Sequence, residues 1–227
     1  MIRVAVAGAG RMGKAIAHGL DSQPDMVLAG IWGRGDDLDA LVTNADVVVD
    51  FSLPEATDLV VDTAVRHGKS LVCGVSGLDE ARLGKIEDGA KLVPVVYDRN
   101  MSLGIAVLDR LVSEAAASLG KDFEIEISEV HHVHKVDAPS GTALKLGEAI
   151  AKARGEEGTG SIRFESERRG EVPGDHEVVM RSPTERLTFA HSVTTRQVFV
   201  DGAIRAARWV VGRPAGLYRM ADVLFAD

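Results

Sequence analysis

Several features that would set a protein apart from ordinary cytosolic domains are missing from this sequence. The one cysteine, Cys73, lies in an apolar run, so no disulfide can form within the chain and a buried, reduced thiol is expected. No segment approaches the ~18 consecutive apolar residues of a membrane helix. The N-terminus has no basic region followed by a long apolar stretch. We therefore expect no signal peptide, no membrane partner and a cytoplasmic location.

Excess positive charge is also missing. The formal net charge is -8 and the pI is about 5.4, which argues against nonspecific binding of nucleic acid because that needs a basic surface. The 227 residues, 45% of them apolar, fit one large or two small domains with a core that needs no disulfide staples.

The first hundred residues alternate between short apolar runs and amphipathic segments. Apolar runs predict strands at 2–7, 26–31, 47–51, 70–73 and 92–97, and helices are predicted at 11–20, 56–67 and 78–89. The strands are almost continuously apolar, which is typical of a parallel sheet covered on both faces. The pattern predicts an α/β fold with a Rossmann-like doubly wound parallel sheet.

After Asn100 the rhythm changes. A long helix at 102–119, with an apolar stripe that includes Leu111, precedes a strand at 123–130 whose residues alternate in polarity. A polar loop, a helix at 142–152 and three further strands at 161–167, 177–181 and 185–192 follow. An amphipathic helix starts at Asp201. This half predicts a separate α+β domain.

A glycine loop follows the first predicted strand. Its sequence is Gly8-Ala9-Gly10-Arg11-Met12-Gly13, which fits G-x-G-x-x-G and opens a helix. In that context the glycines allow a tight turn and close approach of a pyrophosphate to the helix N-terminus. We interpret the loop as a dinucleotide site, with a ligand-free turn as the alternative.

The tip of the second strand bears on the choice of cofactor. An NAD site usually has an acid there, but the sequence reads Ile31-Trp32-Gly33-Arg34-Gly35, and Asp36 and Asp37 come later. Arg34 can meet a 2′-phosphate or stack on adenine, which favours NADPH or dual use. A solvated loop arginine is the alternative.

The densest chemistry lies between the strand at 123–130 and the next helix, in the segment Glu129 to Thr142. His131 and Lys135 can supply protons and positive charge near an anionic substrate. Ser140, Gly141 and Thr142 begin a helix whose free N–H groups can hold a carboxylate. Surface histidines are one alternative. A zinc site is another, but adjacent His131 and His132 point to opposite sides of an extended chain, and we expect no metal.

The segment Glu129 to Leu144 closely resembles the signature of the 4-hydroxy-tetrahydrodipicolinate reductases, also called dihydrodipicolinate reductases. Further similar stretches cover most of the chain: the glycine loop, 50–55, 74–77, 100–104, 199–203 and 216–220.

The resemblance implies a dinucleotide-binding domain at 1–101, with a C-terminal helix at 203–227 that packs back on it. A substrate-binding and tetramerisation domain is implied at 102–202. It implies reduction of a small cyclic dicarboxylate by NADH or NADPH in lysine and diaminopimelate biosynthesis, by a homotetramer.

By position, His131 resembles the family's proton donor or acceptor and Lys135 its second proton donor. The resemblance also assigns substrate-carboxylate contacts to His132, Ser140, Gly141 and Thr142. The loops that flank the nicotinamide are implied at Gly74, Val75 and Ser76 and at Asp98, Arg99, Asn100 and Met101.

Two other function classes fit the cofactor site. One is a related amino-acid dehydrogenase or imine reductase, since the carboxylate cradle alone does not distinguish a cyclic substrate from an open one. The other is a non-catalytic NAD(P)-sensing module, which predicts a degraded substrate loop, whereas the histidine-lysine segment is intact.

Overall fold

The computed structural model describes residues 1–225, which form two compact units. The first unit holds Met1–Leu103 together with the described residues from Gln197 onward, and the second holds Gly104–Arg196. Among these described residues, no helix combines the length and the apolar character needed to cross a membrane.

A six-stranded parallel sheet organises the first unit. Its strands are β1 (Ile2–Ala7), β2 (Met26–Trp32), β3 (Val47–Asp50), β4 (Ser70–Cys73), β5 (Pro94–Tyr97) and β10 (Gly216–Tyr218). They lie in the order β10-β5-β4-β3-β1-β2. The helices of this unit are α1 (Arg11–Leu20), α2 (Leu38–Thr43), α3 (Pro54–Arg66), α4 (Glu80–Ala90), α7 (Gln197–Val210) and α8 (Met220–Phe225).

Helices cover both faces of this sheet. Alternate strand residues such as Ala5, Val48 and Leu71 share a buried core with α2, α3 and α4. On the other face α7 packs against β3, β4 and β5 and beside α1. Because both faces are covered, the strands are apolar at almost every position. The predicted Rossmann-like doubly wound sheet is confirmed.

The second unit is a mixed sheet with helices on one face. Its strands are β6 (Glu124–His131), β7 (Ile162–Arg168), β8 (Asp175–Arg181) and β9 (Arg186–Ser192), in the order β7-β6-β8-β9. β7 runs parallel to β6, and the other pairs are antiparallel. The covering helices are α5 (Leu103–Leu119), which leads into a short 3-10 helix, and α6 (Gly141–Ala153). The predicted α+β unit is confirmed, although Leu111 of the expected stripe is exposed.

The prediction of a single helix over 203–227 is wrong. α7 already starts at Gln197 and stops at Val210, because Gly212 adopts a φ of +84° and Pro214 follows. The chain then adds β10 beside β5 and forms α8. The predicted boundary between 202 and 203 divides α7, whereas the whole helix belongs to the first unit. Residues 226 and 227 of the predicted helix lie outside the described residues.

Two helix glycines give a matched test of this packing. A Cβ on Gly202 of α7 would lie 1.7 Å from the Met101 carbonyl oxygen, whereas a Cβ on Gly84 of α4 meets nothing within 4 Å. We expect Gly202→Ala to lower the free energy of unfolding by about 1–3 kcal/mol through overpacking. Gly84→Ala should raise it by up to about 1 kcal/mol, because alanine restricts the unfolded chain and favours a helix. Urea denaturation of both variants measures this, and equal effects would contradict the packing.

Candidate active site

The glycine loop is folded as a close-packed turn with an open side. Gly8 has a φ of +110°, and a Cβ there would lie 2.6 Å from the Phe51 carbonyl oxygen. A Cβ on Gly13 would lie 1.7 Å from the Gly8 oxygen, so only glycine lets α1 start this close to β1. Gly10 caps α1 without a side-chain hydrogen bond, and nothing lies within 4 Å of its Cβ position. The N–H groups of Arg11 and Met12 in the first turn therefore face a cradle that fits a pyrophosphate.

An acid does return to the tip of β2, which the sequence analysis missed. The turn after Trp32 folds back, so that Gly33 N–H donates to Asp36 Oδ2 at 2.8 Å and the Trp32 indole donates to the Asp36 carbonyl oxygen at 3.0 Å. A Cβ on Gly33 would lie 3.1 Å from Ala9 Cβ, which places this turn beside the glycine loop. Arg34 is exposed at the same turn. The turn thus places both a carboxylate and a guanidinium beside the glycine loop.

The other predicted cofactor loops follow β4 and β5, at the same carboxyl edge of the sheet where parallel folds bind ligands. Gly74 is packed over Phe51, whose ring atoms would lie 2.4 Å from an added Cβ. Ser76 is exposed, and Arg99 and Asn100 are half-buried. The side chains of the remaining three face the interior: Val75, Asp98 and Met101.

Asp98 and Asp50 are buried carboxyl groups at this edge. Asp98 accepts a hydrogen bond from Met220 N–H at 3.2 Å, which caps α8. Asp50 is fully buried at the end of β3, where it accepts from Ser52 N–H at 2.9 Å. Burial raises the pKa of Asp50 to about 6, and the Ser52 hydrogen bonds oppose this only in part.

In the second unit, polar side chains replace the apolar ones at one end of the helix-covered sheet face. Register places Ile125, Ile162 and Met180 side by side, followed by a row of Ile127, Phe164 and Val178. The next row on the same face is Glu129, Ser166 and His176, and His131 beside Arg168 ends it. A polar group on a core face is costly unless it is paired, so these side chains form a site.

Glu129 and His131 form a buried pair. The Glu129 side chain is 1% exposed, and its carboxylate is hydrogen-bonded to His131 Nδ1 and to Arg168 Nη1 at 3.0 and 3.1 Å. Burial acts to raise the pKa of Glu129, but hydrogen bonds from Ser166, His131 and Arg168 together hold it below its usual value. Burial lowers the pKa of His131, and the attraction of Glu129 opposes that shift. The pair is thus an ionised carboxylate with a mostly neutral imidazole.

His176 packs edge-on against His131, with ring centroids 5.1 Å apart. Burial lowers the pKa of His176 to about 3, so it is neutral at physiological pH. Its Nε2 lies 3.3 Å from Ser140 Oγ, which also accepts from Ala143 N–H and caps α6. Ser140 is therefore engaged within the fold and is buried.

The loop after β6 brings Lys135 to the N-terminus of α6. Lys135 Nζ lies 2.7 Å from the carboxylate of Asp137, and that carboxylate also accepts from Gly141 N–H. Burial acts to raise the pKa of Asp137, but Lys135 and Gly141 hold it below its usual value. Thr142 is buried in the first turn of α6. The Asp137 carboxylate thus binds the Lys135 ammonium group and a helix N–H, which are groups that were predicted to bind a substrate carboxylate.

His132 lies next to this loop with an unused ring nitrogen. It is half-buried, and its Nδ1 has no hydrogen-bond partner among residues 1–225. His134 is exposed and lies 3.3 Å from Glu171. His132 therefore keeps an unsatisfied, buried ring nitrogen, whereas His134 is a solvated surface group.

Sequence reasoning located His131, Lys135 and the start of α6, and the structure brings these together in the second unit. It missed Glu129, Arg168, His176 and Asp137. The available signal was the period of β6, because Glu129 and His131 continue the face of Ile125 and Ile127 and so put polar groups on a core face.

The chain matches two family models along nearly its whole length. One is described as the N-terminus of dihydrodipicolinate reductase and matches residues 2–101, and the other as its C-terminus and matches residues 104–224. The 4-hydroxy-tetrahydrodipicolinate reductase of Zymomonas mobilis is 42% identical, over 96% of this chain and 95% of that protein. The reductase of Wolinella succinogenes is 41% identical over 99% of each chain.

A solved structure is similar in fold. It is the dipicolinate-bound dihydrodipicolinate reductase from Paenisporosarcina sp. TG-14, with a TM-score of 0.81, 23% identity and coverage of 96% of this chain and 97% of that one.

Asp50 gives a pH-dependent test of the buried edge of the first unit. A carboxyl group whose pKa rises on folding stabilises the fold below pH 3.8, and that stability is lost as the pH rises through about 6. Asp50→Asn keeps the acceptor for Ser52 but does not titrate. Relative to wild type, the variant should gain about 2 kcal/mol of unfolding free energy between pH 4.5 and 7.5. Urea denaturation at several pH values measures the difference.

Asp46→Asn is a control of opposite sign. The Asp46 carboxylate binds Arg3, whose hydrogen bonds lower its pKa, so it stabilises the fold above its usual pKa and loses that effect as the pH falls. Parallel pH profiles for Asp50→Asn and wild type would contradict a raised pKa of the buried Asp50.

Proposed function

The chain belongs to the dihydrodipicolinate reductase family, and from that membership we propose that the loop after β6 supplies the protons and the carboxylate contacts of its reaction. The protein is an NAD(P)H-dependent oxidoreductase that converts 4-hydroxy-tetrahydrodipicolinate into tetrahydrodipicolinate in lysine and diaminopimelate biosynthesis. The substrate loses water and takes up one hydride and one proton. No comparison favours an amino-acid dehydrogenase, an imine reductase or a non-catalytic sensor.

The glycine loop of the first unit fits the nucleotide. The first-turn N–H groups of α1 would hold its pyrophosphate, and the turn Gly33–Asp36 would lie at the adenosine ribose. When bound, the reduced nicotinamide supplies the hydride. The loops that follow β4 and β5 would flank the nicotinamide.

His131 and Lys135 carry the proposed proton chemistry. His131 is a buried imidazole held by a carboxylate, which is the arrangement of an oriented general acid or base. Lys135 is a nearby cation that can give a second proton and stabilise negative charge on the substrate. The observation that carries this proposal is the sheet register, which places His131 beside Arg168 at the polar end of β6. Lys135 lies in the loop that follows, and its carbonyl oxygen accepts a hydrogen bond from Arg168.

The substrate is a small dicarboxylate, and its carboxylates would bind at the α6 N-terminus. The Gly141 N–H group and Thr142 lie in the first turn of α6, where N–H groups favour a carboxylate, and His132 precedes them in the same loop. A bound carboxylate would replace that of Asp137 on Lys135 and Gly141. The related Paenisporosarcina enzyme was solved with dipicolinate, a planar dicarboxylate, which supports this class of ligand.

We further propose a cytoplasmic homotetramer. The helix-free face of the four-stranded sheet offers a patterned surface for a second copy, since Glu126 lies beside Arg163 and Glu124 lies opposite Arg181. Half-buried Val130 adds apolar area to the same face. A biosynthetic role in amino-acid metabolism is consistent with the cytoplasm.

Replacing the proton-donating side chains tests the proposed function. His131→Ala and Lys135→Ala should each lower kcat by about 100- to 10,000-fold, the usual cost of losing a positioned general acid. The dissociation constant for NADPH should change little, because neither residue belongs to the glycine-loop unit. NADPH absorbance decay with freshly prepared substrate gives kcat, and fluorescence titration gives cofactor affinity.

His134→Ala is the matched control, because His134 lies in the same loop but its side chain is 73% exposed. It should keep turnover close to wild type. Near-normal turnover in both His131→Ala and Lys135→Ala would refute the assignment.

Cofactor choice is tested at the β2 tip. Arg34→Ala should weaken NADPH binding by about 10-fold or more and leave NADH binding nearly unchanged, since a charge-assisted contact to the 2′-phosphate is lost. Asp36→Asn should weaken NADH and favour NADPH, because the carboxylate accepts from ribose hydroxyls and repels a phosphate. Titration of both cofactors into each variant measures these effects. An equal loss of both cofactors in Arg34→Ala would remove the 2′-phosphate role.

A further inference from the structure

The pairing around His131 defines which of its nitrogens is reactive. Glu129 is ionised, because three hydrogen bonds hold its pKa below the usual value, and an ionised carboxylate can only accept hydrogen bonds. His131 Nδ1 must therefore carry a hydrogen toward Glu129. This leaves Nε2 as the nitrogen that gains or gives a proton.

A glycine packs beside Nε2, where a larger residue would collide with the ring. A Cβ on Gly174, at the start of β8, would lie 2.9 Å from His131 Nε2. His176 also faces the ring, but it is neutral and its own Nε2 is turned to Ser140. The charged groups that act on His131 are thus Glu129, which favours protonation, and Lys135 and Arg168, which oppose it.

Arg168 joins this pair to the loop that carries Lys135. Its Nη1 binds both oxygens of Glu129, its Nε donates to the Lys135 carbonyl oxygen at 3.2 Å, and its Nη2 donates to the Asp137 carbonyl oxygen. The side chain is 20% exposed, and all of these bonds come from one planar fork. A lysine has a single nitrogen and cannot make this set.

We propose that Glu129 and Arg168 are positioning residues for the two proton donors. Glu129 keeps a hydrogen on Nδ1 of His131, so that Nε2 is the nitrogen that takes up a proton and, in the imidazolium form, gives it to the substrate, while Arg168 fixes Glu129 and the backbone of the Lys135 loop together. This inference rests on the proposed function, in which His131 and Lys135 donate the protons. The Arg168 guanidinium then sets the positions of His131 and Lys135 relative to each other.

Glu129→Gln tests the first part. The amide keeps the size of the side chain but removes its charge, so His131 should be harder to protonate, and the alkaline limb of kcat/KM should move to lower pH. We expect kcat to fall by about 10- to 100-fold, the range found for residues that orient a functional histidine. The KM for NADPH should stay near its wild-type value.

A readout that does not depend on turnover is the 15N NMR spectrum of the His131 ring, assigned by comparison with His131→Ala. Wild type should show neutral His131 protonated at Nδ1, and Glu129→Gln should show a mixture of tautomers. A purely structural role for Glu129 predicts lower stability with the same tautomer and the same pH limb, which would overturn the inference.

Arg168→Lys tests the positioning role of Arg168, and it remains informative if Glu129→Gln does not fold. It keeps a positive charge beside Glu129, so the Nδ1–H tautomer should persist, but the loop carbonyls lose their donors and kcat should fall by about 10-fold or more. Arg169→Lys is the control, because Arg169 is the next residue and its side chain is 62% exposed. Equal kcat for Arg168→Lys and Arg169→Lys would overturn the role of Arg168.

These outcomes separate the inference from the proposed function. Full turnover in His131→Ala refutes the proposed function itself. Loss of turnover in His131→Ala, together with an unchanged tautomer and pH limb in Glu129→Gln, refutes only the positioning role.

Discussion

The ionised carboxylate of Glu129 is the constraint on which the substrate unit depends. A buried charge is tolerated only when its partners satisfy it, and here those partners are Arg168, His131 and Ser166. Each partner comes from β6 or from its parallel neighbour β7. The requirement to neutralise one carboxylate therefore fixes the orientation of an imidazole and the place of a guanidinium. Through that guanidinium it also fixes the backbone on either side of Val136.

Most of the fold could be predicted because its signals are local. Near-continuous apolar runs such as Val47–Val49 identify buried parallel strands, and the alternation of Ile125 and Ile127 with polar neighbours identifies a half-covered one. The parts that were missed have weak local signals. α2 has six residues and depends on Asp37, whose side chain accepts from Ala40 N–H. β10 has three residues and exists only because β5 offers an edge.

The site divides in the same way. The glycine loop and the segment from His131 to Thr142 are contiguous in sequence, so their chemistry could be predicted together. Arg168 and His176 reach His131 only through the pairing of β6 with β7 and β8, and no sequence spacing encodes that register. In sequence Asp36 comes later than the β2 tip, yet a tight turn returns its carboxylate to Gly33. Proximity made by a turn or a sheet register is a tertiary property.

The contact of Asp137 with Lys135 and Gly141 has a consequence for ligand selectivity. A carboxylate tethered two residues from its lysine acts at a high effective concentration, so an incoming anion competes with an intramolecular rival. A monoanion exchanges one carboxylate for another and gains little. A dianion can also contact a second group, such as His132. That additional contact offsets the free energy needed to displace the Asp137 carboxylate. The carboxylate site that Asp137 occupies is thus biased against the abundant monocarboxylates of metabolism before any shape is recognised.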